Sequence, residues 1–365
     1  MPDSGSEKKL KETYSGRRVM VTGHTGFKGS WLSLWLSSLG ASVTGFALDP
    51  PTSPSLFELA GVGELLEDLR GDIRDYGFLA GEITRTQPEI IFHLAAQPLV
   101  LQSYEEPKET FEVNVGGTVN LLEAARNNPA VRAVVVVTSD KCYSNPDTGH
   151  LFRETDPLGG SDPYSASKAA AELVCSAYQQ SFFNSRKTGL ATARSGNVIG
   201  GGDWARDRLV PDTIRCLDSG EPVPVRHPAS IRPWQHVLEP TYGYLLLGQH
   251  LLDEGFRDGG CSYADAWNFG PAEDSGLSAG ELVGKLIADY GSGSWQDVSG
   301  REGAAPHEAG MLLISSDKAC RRLGWKPRWG LAETVGRTID WYRRCKAGED
   351  PYRLSMRDIE AYLES

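Results

Sequence analysis

Short, wholly apolar runs recur through the first half of this 365-residue chain, each followed by a longer stretch of helical period. The clearest run is Val134-Val135-Val136-Val137. It is β-branched and apolar on both faces, as a fully buried strand requires. Arg17–Thr22, Ser42–Leu48, Ile90–Ala96 and Leu190–Arg194 read as strands of the same kind. Helical patterns stand between them: Gly29 through Trp31, Leu32, Leu34, Trp35 and Leu36 to near Gly40, a helix opened by Asn114 and carried through Leu121, Leu122 and Ala125, and a long one from Pro163 through Ala171, Leu173, Val174 and Tyr178. Strand and helix in alternation predict an α/β fold with a doubly wound parallel sheet.

Beyond Arg194 the alternation weakens. Leu209-Val210-Pro211-Asp212 starts a helix, Pro222–Arg226 is a short extended piece, Leu238–Leu252 is a helix suited to pack back on the sheet, and Ala266–Gly270 is a last strand. The expected organisation is a first domain of residues 16–195 plus about 232–270, and a smaller α/β substrate-binding domain of 196–231 and 271–345. Residues 1–15 read as a loose polar lead-in and 346–365 as a C-terminal helical extension.

Composition narrows the partners. A net charge of −11 speaks against nucleic acid or an anionic membrane, while leaving room for a small anionic ligand met by local arginines. No apolar run reaches the length of a membrane span. The six cysteines are scattered without CxxC or zinc spacing, so reduced thiols in the cytoplasm are expected and no metal site is.

The candidate chemistry begins where the valines end. Thr138, Ser139, Asp140 and Lys141 place hydroxyl, carboxylate and amine at the carboxyl end of a strand, where open α/β sheets bind ligands. The first strand is followed by Gly23-His24-Thr25-Gly26-Phe27-Lys28-Gly29 and then by a helix. Such glycines let backbone N–H groups approach a pyrophosphate. Asp49, closing the second strand, can accept from ribose hydroxyls and repel a 2′-phosphate, so NAD is favoured over NADP. The expected sheet is therefore of the doubly wound parallel Rossmann type. Asp72, beside Ile73, can bring a carboxylate to the adenine, and Leu94-Ala95-Ala96 lets backbone lie against a flat cofactor. Tyr164 and Lys168, four apart on one helix face, pair a phenol with an ammonium that lowers its pKa. His93 reads as a core histidine, Trp31 and Trp35 as core, and His24 as a residue that orients the glycine loop.

Together, Gly23-x-x-Gly26-x-x-Gly29, Asp72, Asn114, Ser139, Tyr164-x-x-x-Lys168 and Arg194 resemble the extended short-chain dehydrogenase/reductases that act on nucleotide sugars. The resemblance runs from Arg17 to Tyr342. Thr138–Tyr143 is similar to the sugar-nucleotide 4,6-dehydratases, and Lys141, where the dTDP-glucose enzymes carry glutamate, to the members acting on CDP-glucose. Gly23–Trp31, Gly200–Ala205 and Pro306–Ala309 have the same look.

The resemblance implies a redox-neutral lyase that binds NAD and CDP-glucose or a related sugar nucleotide. Tyr164, with Lys168 and Ser139, would take the proton of the sugar 4-hydroxyl. Lys141, its pKa depressed by burial, would take the C5 proton while Asp140 protonates the departing 6-hydroxyl. The cofactor set implied is Gly23, Thr25, Gly26, Phe27, Lys28, Gly29, Asp49, Asp72, Ile73, Leu94, Ala95, Ala96, Asn114, Tyr164, Lys168 and Arg194. The substrate set is Gln97, Ser139, Asn197, Arg208, Leu209, Val225, Arg226, Arg232 and His307, with Asn197 and Arg232 on the diphosphate. A homodimer or homotetramer is expected, pairing Asn114–Arg126 and Tyr164–Phe182 across an axis. Rival readings are another nucleotide-sugar 4,6-dehydratase, a nucleotide-sugar 4-epimerase, which needs no elimination pair, and a non-catalytic NAD-binding regulator, which would not keep the tyrosine and lysine.

Overall fold

A seven-stranded, all-parallel sheet lies at the centre of the computed structural model, which describes residues 4–184, 188–253, 261–271, 276–299 and 310–365. Its strands are β1 (Arg18–Thr22), β2 (Ser42–Ala47), β3 (Glu67–Arg70), β4 (Ile90–His93), β5 (Ala133–Val137), β6 (Gly189–Ser195) and β7 (Ala266–Phe269). The order across the sheet is β7-β6-β5-β4-β1-β2-β3. The chain thus turns from one half-sheet to the other beside β1 and β4, the crevice in which such sheets hold ligands.

The main helices are α1 (Ser4–Tyr14), α2 (Phe27–Ser38), α3 (Tyr76–Thr86), α4 (Gly117–Arg126), α5 (Pro163–Tyr178), α6 (Leu209–Ser219), α7 (Leu238–Asp253), α8 (Ala279–Tyr290), α9 (Leu331–Lys346) and α10 (Pro351–Glu364). The two faces of β5 show why the valines read as they do. Val135 and Val137 join one buried cluster with Trp31, Trp35, Leu245 and Trp267. Val134 and Val136, alternating with them, join the other with Leu121, Leu122 and Phe183.

Three elements depart from expectation. The lead-in is not loose, because α1 buries Leu10 and Tyr14 completely and the Tyr14 hydroxyl donates to the Leu245 carbonyl at 2.7 Å. Two apolar residues four apart suffice to dock an otherwise charged helix. β3 lies in a variable stretch for which no strand is expected; it is an edge strand, mostly exposed, and carries charges as edge strands do. Asn114 does not open a helix either. Pro107 starts one at Pro107–Phe111, which passes through a π-helical turn at Glu112–Gly116 into α4 and leaves Asn114 in its interior.

Later segments are stitched over the carboxyl ends of the strands by two-stranded pairings. Val198–Ile199 runs parallel to Gln235–His236, and Ile231–Pro233 antiparallel to Gly276–Ser278. Val223–Val225 pairs with Trp295–Asp297, and Leu151–Phe152 with Leu313–Ile314. At the far end α10 buries Leu354, Ile359 and Tyr362, the last edge-on to Trp35 of α2. Among the described residues no helix is long and apolar enough to cross a membrane. All six cysteines are free.

Candidate active site

Backbone geometry builds the first part of the site. Gly23 has φ 77°, and a Cβ on it would stand 2.7 Å from the Ala95 nitrogen. A Cβ on Gly29 would lie 2.1 Å from the Gly23 carbonyl oxygen. The loop therefore presses flat against Leu94–Ala95, whose N–H groups donate to the Thr22 carbonyl (3.0 Å) and hydroxyl (3.3 Å). Gly26 precedes α2 without capping it, so the first-turn N–H groups are left for an anion. Thr25 donates its hydroxyl to the Leu48 carbonyl at 3.0 Å, tying the loop to the end of β2. There the Asp49 carboxylate is 92% exposed and 3.8 Å from Arg70. Asp72 is held by Arg74 (2.6 Å), which lowers its pKa. These residues fit a dinucleotide at the crevice.

His24 stays inside the loop, its Nε2 2.8 Å from Asp68 of the edge strand. His93 is buried against Thr22 (2.7 Å) and Thr118 (3.3 Å), and burial pushes its pKa to about 3. Trp31 and Trp35 are fully buried, as a core reading expects.

At the end of β5, Ser139 caps a single 3-10 turn, Asp140–Cys142, accepting from the Lys141 N–H at 3.2 Å. Its hydroxyl donates to Asp140 Oδ1 at 3.0 Å and is hydrogen-bonded to Tyr164. Asp140 is 2% exposed, and its Oδ2 has no hydrogen-bond partner. Burial raises the carboxyl's pKa despite the nearby Lys141, Arg232 and Lys28. Cys142, in the same turn, is fully buried.

Pro163 at the first position and Asp162, accepting from the Ser165 N–H at 2.9 Å, start α5 so that Tyr164 faces Ser139. Burial of the phenol outweighs the bond to Ser139 and raises its pKa to about 12. In the protein alone the sign is thus opposite to that expected from an adjacent ammonium. Lys168, one turn on, reaches the Val137 carbonyl at 3.4 Å, and burial lowers its pKa to about 8.

Of the other expected residues, Lys28, Arg208 and Arg232 converge on this turn. The Lys28 ammonium donates to Ser195 Oγ at 2.9 Å, and desolvation followed by the charge of Arg208 lowers its pKa to about 7. Arg208 is paired with Asp203 at 3.1 Å. Arg232 is 4% exposed and directs its charge at Asp140. Lys141 is half-buried, so the deeply enclosed lysine of the site is Lys168.

Several expected contacts are turned elsewhere. The Gln97 amide is folded onto its own loop, bonded to Leu99 and Thr110. Asn114 clamps that loop, bridging the Gln97 backbone and Ser167. Arg194, expected at the cofactor, lies 3% exposed in an internal pair with Glu172 at 2.7 Å. The Glu172 carboxylate, on α5, neutralises it there. Val225, expected at the substrate, faces a small core with Leu217, Val223 and Val283, against which Leu209 also packs. Arg226 pairs with Asp207 at 2.8 Å, and Asn197 is half-buried with its carbonyl accepting from Gln235. His307 lies outside the described residues.

Sequence reading missed Glu172 and the role of Tyr143. Glu172 follows Lys168 by four and so shares the active face of α5, a signal that was available. Tyr143, by contrast, is joined to Arg194 and Asn268 only by tertiary contact.

A family model described as GDP-mannose 4,6 dehydratase matches residues 20–338. The chain is similar to a CDP-glucose 4,6-dehydratase of Salmonella typhimurium, 49% identical over 360 residues, covering 97% of this chain and 98% of the relative. A dTDP-glucose 4,6-dehydratase of Streptomyces griseus is 30% identical, over 91% of this chain and 96% of that one. Among solved structures, a dTDP-glucose 4,6-dehydratase of Streptomyces venezuelae with NAD bound superposes with TM-score 0.75 at 27% identity, covering 92% of this chain and 99% of that one. A UDP-glucose 4-epimerase of Thermus thermophilus in complex with NAD gives 0.74 at 26%, covering 89% and 99%.

Proposed function

The chain belongs to the GDP-mannose 4,6 dehydratase family, and from that premise we propose that it dehydrates CDP-glucose to CDP-4-dehydro-6-deoxyglucose, with NAD as cofactor. The observation that carries this is Asp140: a sealed carboxyl with one unpartnered oxygen and a raised pKa, hydrogen-bonded to the serine that meets Tyr164. A 4-epimerase would have no use for an acid held there. Water elimination does.

NAD, when bound, accepts the C4 hydrogen with its electrons and returns it to C6. The glycine loop with Thr25, Phe27 and Lys28 would hold its pyrophosphate, Asp49 its adenosine ribose, and Asp72 with Ile73 its adenine. Tyr164 takes the 4-hydroxyl proton, oriented by Ser139 and helped by the Lys168 charge. With a ketone at C4, the C5 proton is acidic; Lys141 removes it and gives a solvent-exchanged proton back to C5 when C6 is reduced. Asp140 gives its proton to the departing 6-hydroxyl, so water leaves and no net charge is made. Arg232, Arg208 and Asn197 hold the diphosphate, guanidinium geometry matching its oxygens. In this reading residues 196–231 and 271–345 are the sugar-nucleotide-binding domain.

We also place the protein in the cytoplasm, where free thiols persist. A second copy of the chain would cover the exposed Leu173, Phe182 and Phe111 on the α5 side. Sedimentation showing monomer alone at working concentration would sink that pairing.

Isotopes test the reaction itself. In heavy water the product should carry deuterium at C5, and substrate labelled at C4 should give product labelled at C6 with the mass of one water lost. Product of unchanged mass and unlabelled C5 would mean epimerisation.

A further inference from the structure

Three residues of α5 spaced four apart meet three consecutive residues at the end of β5. Tyr164 meets the Ser139 hydroxyl, Lys168 the Val137 carbonyl, and Glu172 accepts a short hydrogen bond from the Thr138 hydroxyl. The other oxygen of Glu172 accepts from Thr192 Oγ1 at 2.8 Å and from Arg194 Nη2 at 2.7 Å, both on β6. Arg194 continues the network. Its Nη1 donates to the Tyr143 hydroxyl at 2.8 Å and to the Glu154 carbonyl at 3.3 Å, with its guanidinium 4.9 Å from the tyrosine ring. Tyr143 in turn donates to Asn268 Oδ1 on β7 at 2.7 Å.

Thr138 and Tyr143 are the residues on either side of Ser139–Cys142. Both ends of the catalytic turn are therefore anchored on one ion pair, and each member of that pair is 3% exposed. Opposite charges sealed from water are expensive to bury and gain specificity of geometry more than stability. We propose that Glu172–Arg194 is the positioning pair of the reaction: through Thr138 and Tyr143 it fixes the turn that carries Ser139, Asp140 and Lys141 against the face of α5 that carries Tyr164 and Lys168. This rests on the dehydratase reading above. Asp140 and Lys141 act only after C4 is oxidised, so loosening the Tyr143 end should slow elimination more than oxidation. Glu172 also supports the Lys168 charge, opposing its desolvation.

Removing either ion outright leaves the other buried and unpaired, and such a variant can simply fail to fold. Tyr143→Phe avoids this. It keeps the ring, stacked on Phe152 at 4.9 Å, and deletes only the hydroxyl between Arg194 and Asn268. Its expected signature is a KM for CDP-glucose and a Tm close to the parent's, kcat lower by about tenfold or more, and absorbance of reduced nicotinamide building up during turnover. In Glu172→Gln, which keeps one of the two acceptor oxygens and is read only where its Tm shows the folded protein, the alkaline limb of the kcat profile should move to lower pH. Parent-like kcat in Tyr143→Phe would overturn the proposal, as would a lowered Tm with no build-up of reduced cofactor. An alkaline limb unmoved in Glu172→Gln would also count against it. The parent protein, run alongside, separates the two readings: if it makes no 4-keto product the dehydratase assignment fails and takes this one with it, whereas normal parent turnover confines the failure to the positioning pair.

Discussion

Gly196 and Asp140 stand so close that a Cβ on Gly196 would lie 3.1 Å from Asp140 Oδ2 and 2.5 Å from Cγ of Pro233. The proline ring cannot yield as a flexible chain end would, so the added methyl must push the carboxyl. Gly196→Ala should therefore cost some stability and lower turnover roughly 10- to 100-fold, as a displacement of catalytic groups by a fraction of an ångström does. Steady-state kinetics with parent-like kcat would show that the carboxyl's position is not critical.

Burial, opposed by the bond to Ser139, holds the Tyr164 pKa at about 12 in the protein alone. Tyr164→Phe should retain fold and CDP-glucose affinity and lose on the order of 10²–10⁴ in kcat, the usual worth of a positioned acid/base group. Calorimetric binding and single-turnover absorbance would read both. Activity within tenfold of the parent would end the assignment of Tyr164.

Lys141→Met keeps the stem and removes the basic nitrogen. The variant should still form reduced nicotinamide on adding CDP-glucose and then stall before water leaves. Release of product at the parent rate would transfer the C5 base to another group. Asp140→Asn should also slow elimination, with some loss of oxidation through Ser139.

The Lys168 ammonium supplies a pH dependence with a definite sign. Its pKa, lowered to about 8 mainly by burial, leaves it charged below that value and neutral above it. Turnover that needs the charge should fall as pH rises through about 8, well before an ordinary lysine would titrate. Lys168→Arg, cationic throughout, should lack that limb even at reduced kcat. A parent profile flat to pH ~10 would contradict this role.

Asp49 should set cofactor choice. Its exposed carboxylate would repel a 2′-phosphate, and Arg70 stands 3.8 Å away, able to receive one once the acid is gone. The parent should bind NAD far better than NADP, and Asp49→Ala should narrow the gap. Equal affinities in the parent would reject the assignment.

The sheet was legible where burial on both faces leaves only apolar residues, as in Val134–Val137, and where backbone needs glycine, as at Gly23. β3 was not legible because an edge strand answers to solvent, so Glu67, Asp68 and Arg70 look like loop. The helix Ser4–Tyr14 was hidden by its lysines and glutamates, which outnumber the two residues that dock it. Within the site, Ser139, Asp140, Tyr164 and Lys168 lie on elements whose ends local sequence predicts. The resemblance implies Arg194 at the cofactor, and nothing near it in the chain announces Glu172 or Tyr143. Its partners come from α5 and the turn after β5, and distance in sequence hides such pairs.

The burial of Cys142 inside the catalytic turn makes the reaction centre chemically quiet toward thiol reagents. Alkylation and oxidation begin with the thiolate, and burial, reinforced by the charge of Glu172, pushes this thiol's pKa well above the ordinary value. Cys320, on the helix Asp317–Leu323, also has its pKa raised, by partial burial and Asp317, but it is the exposed thiol. A maleimide dye should therefore attach at Cys320 first and leave turnover intact, giving an optical handle on a working molecule.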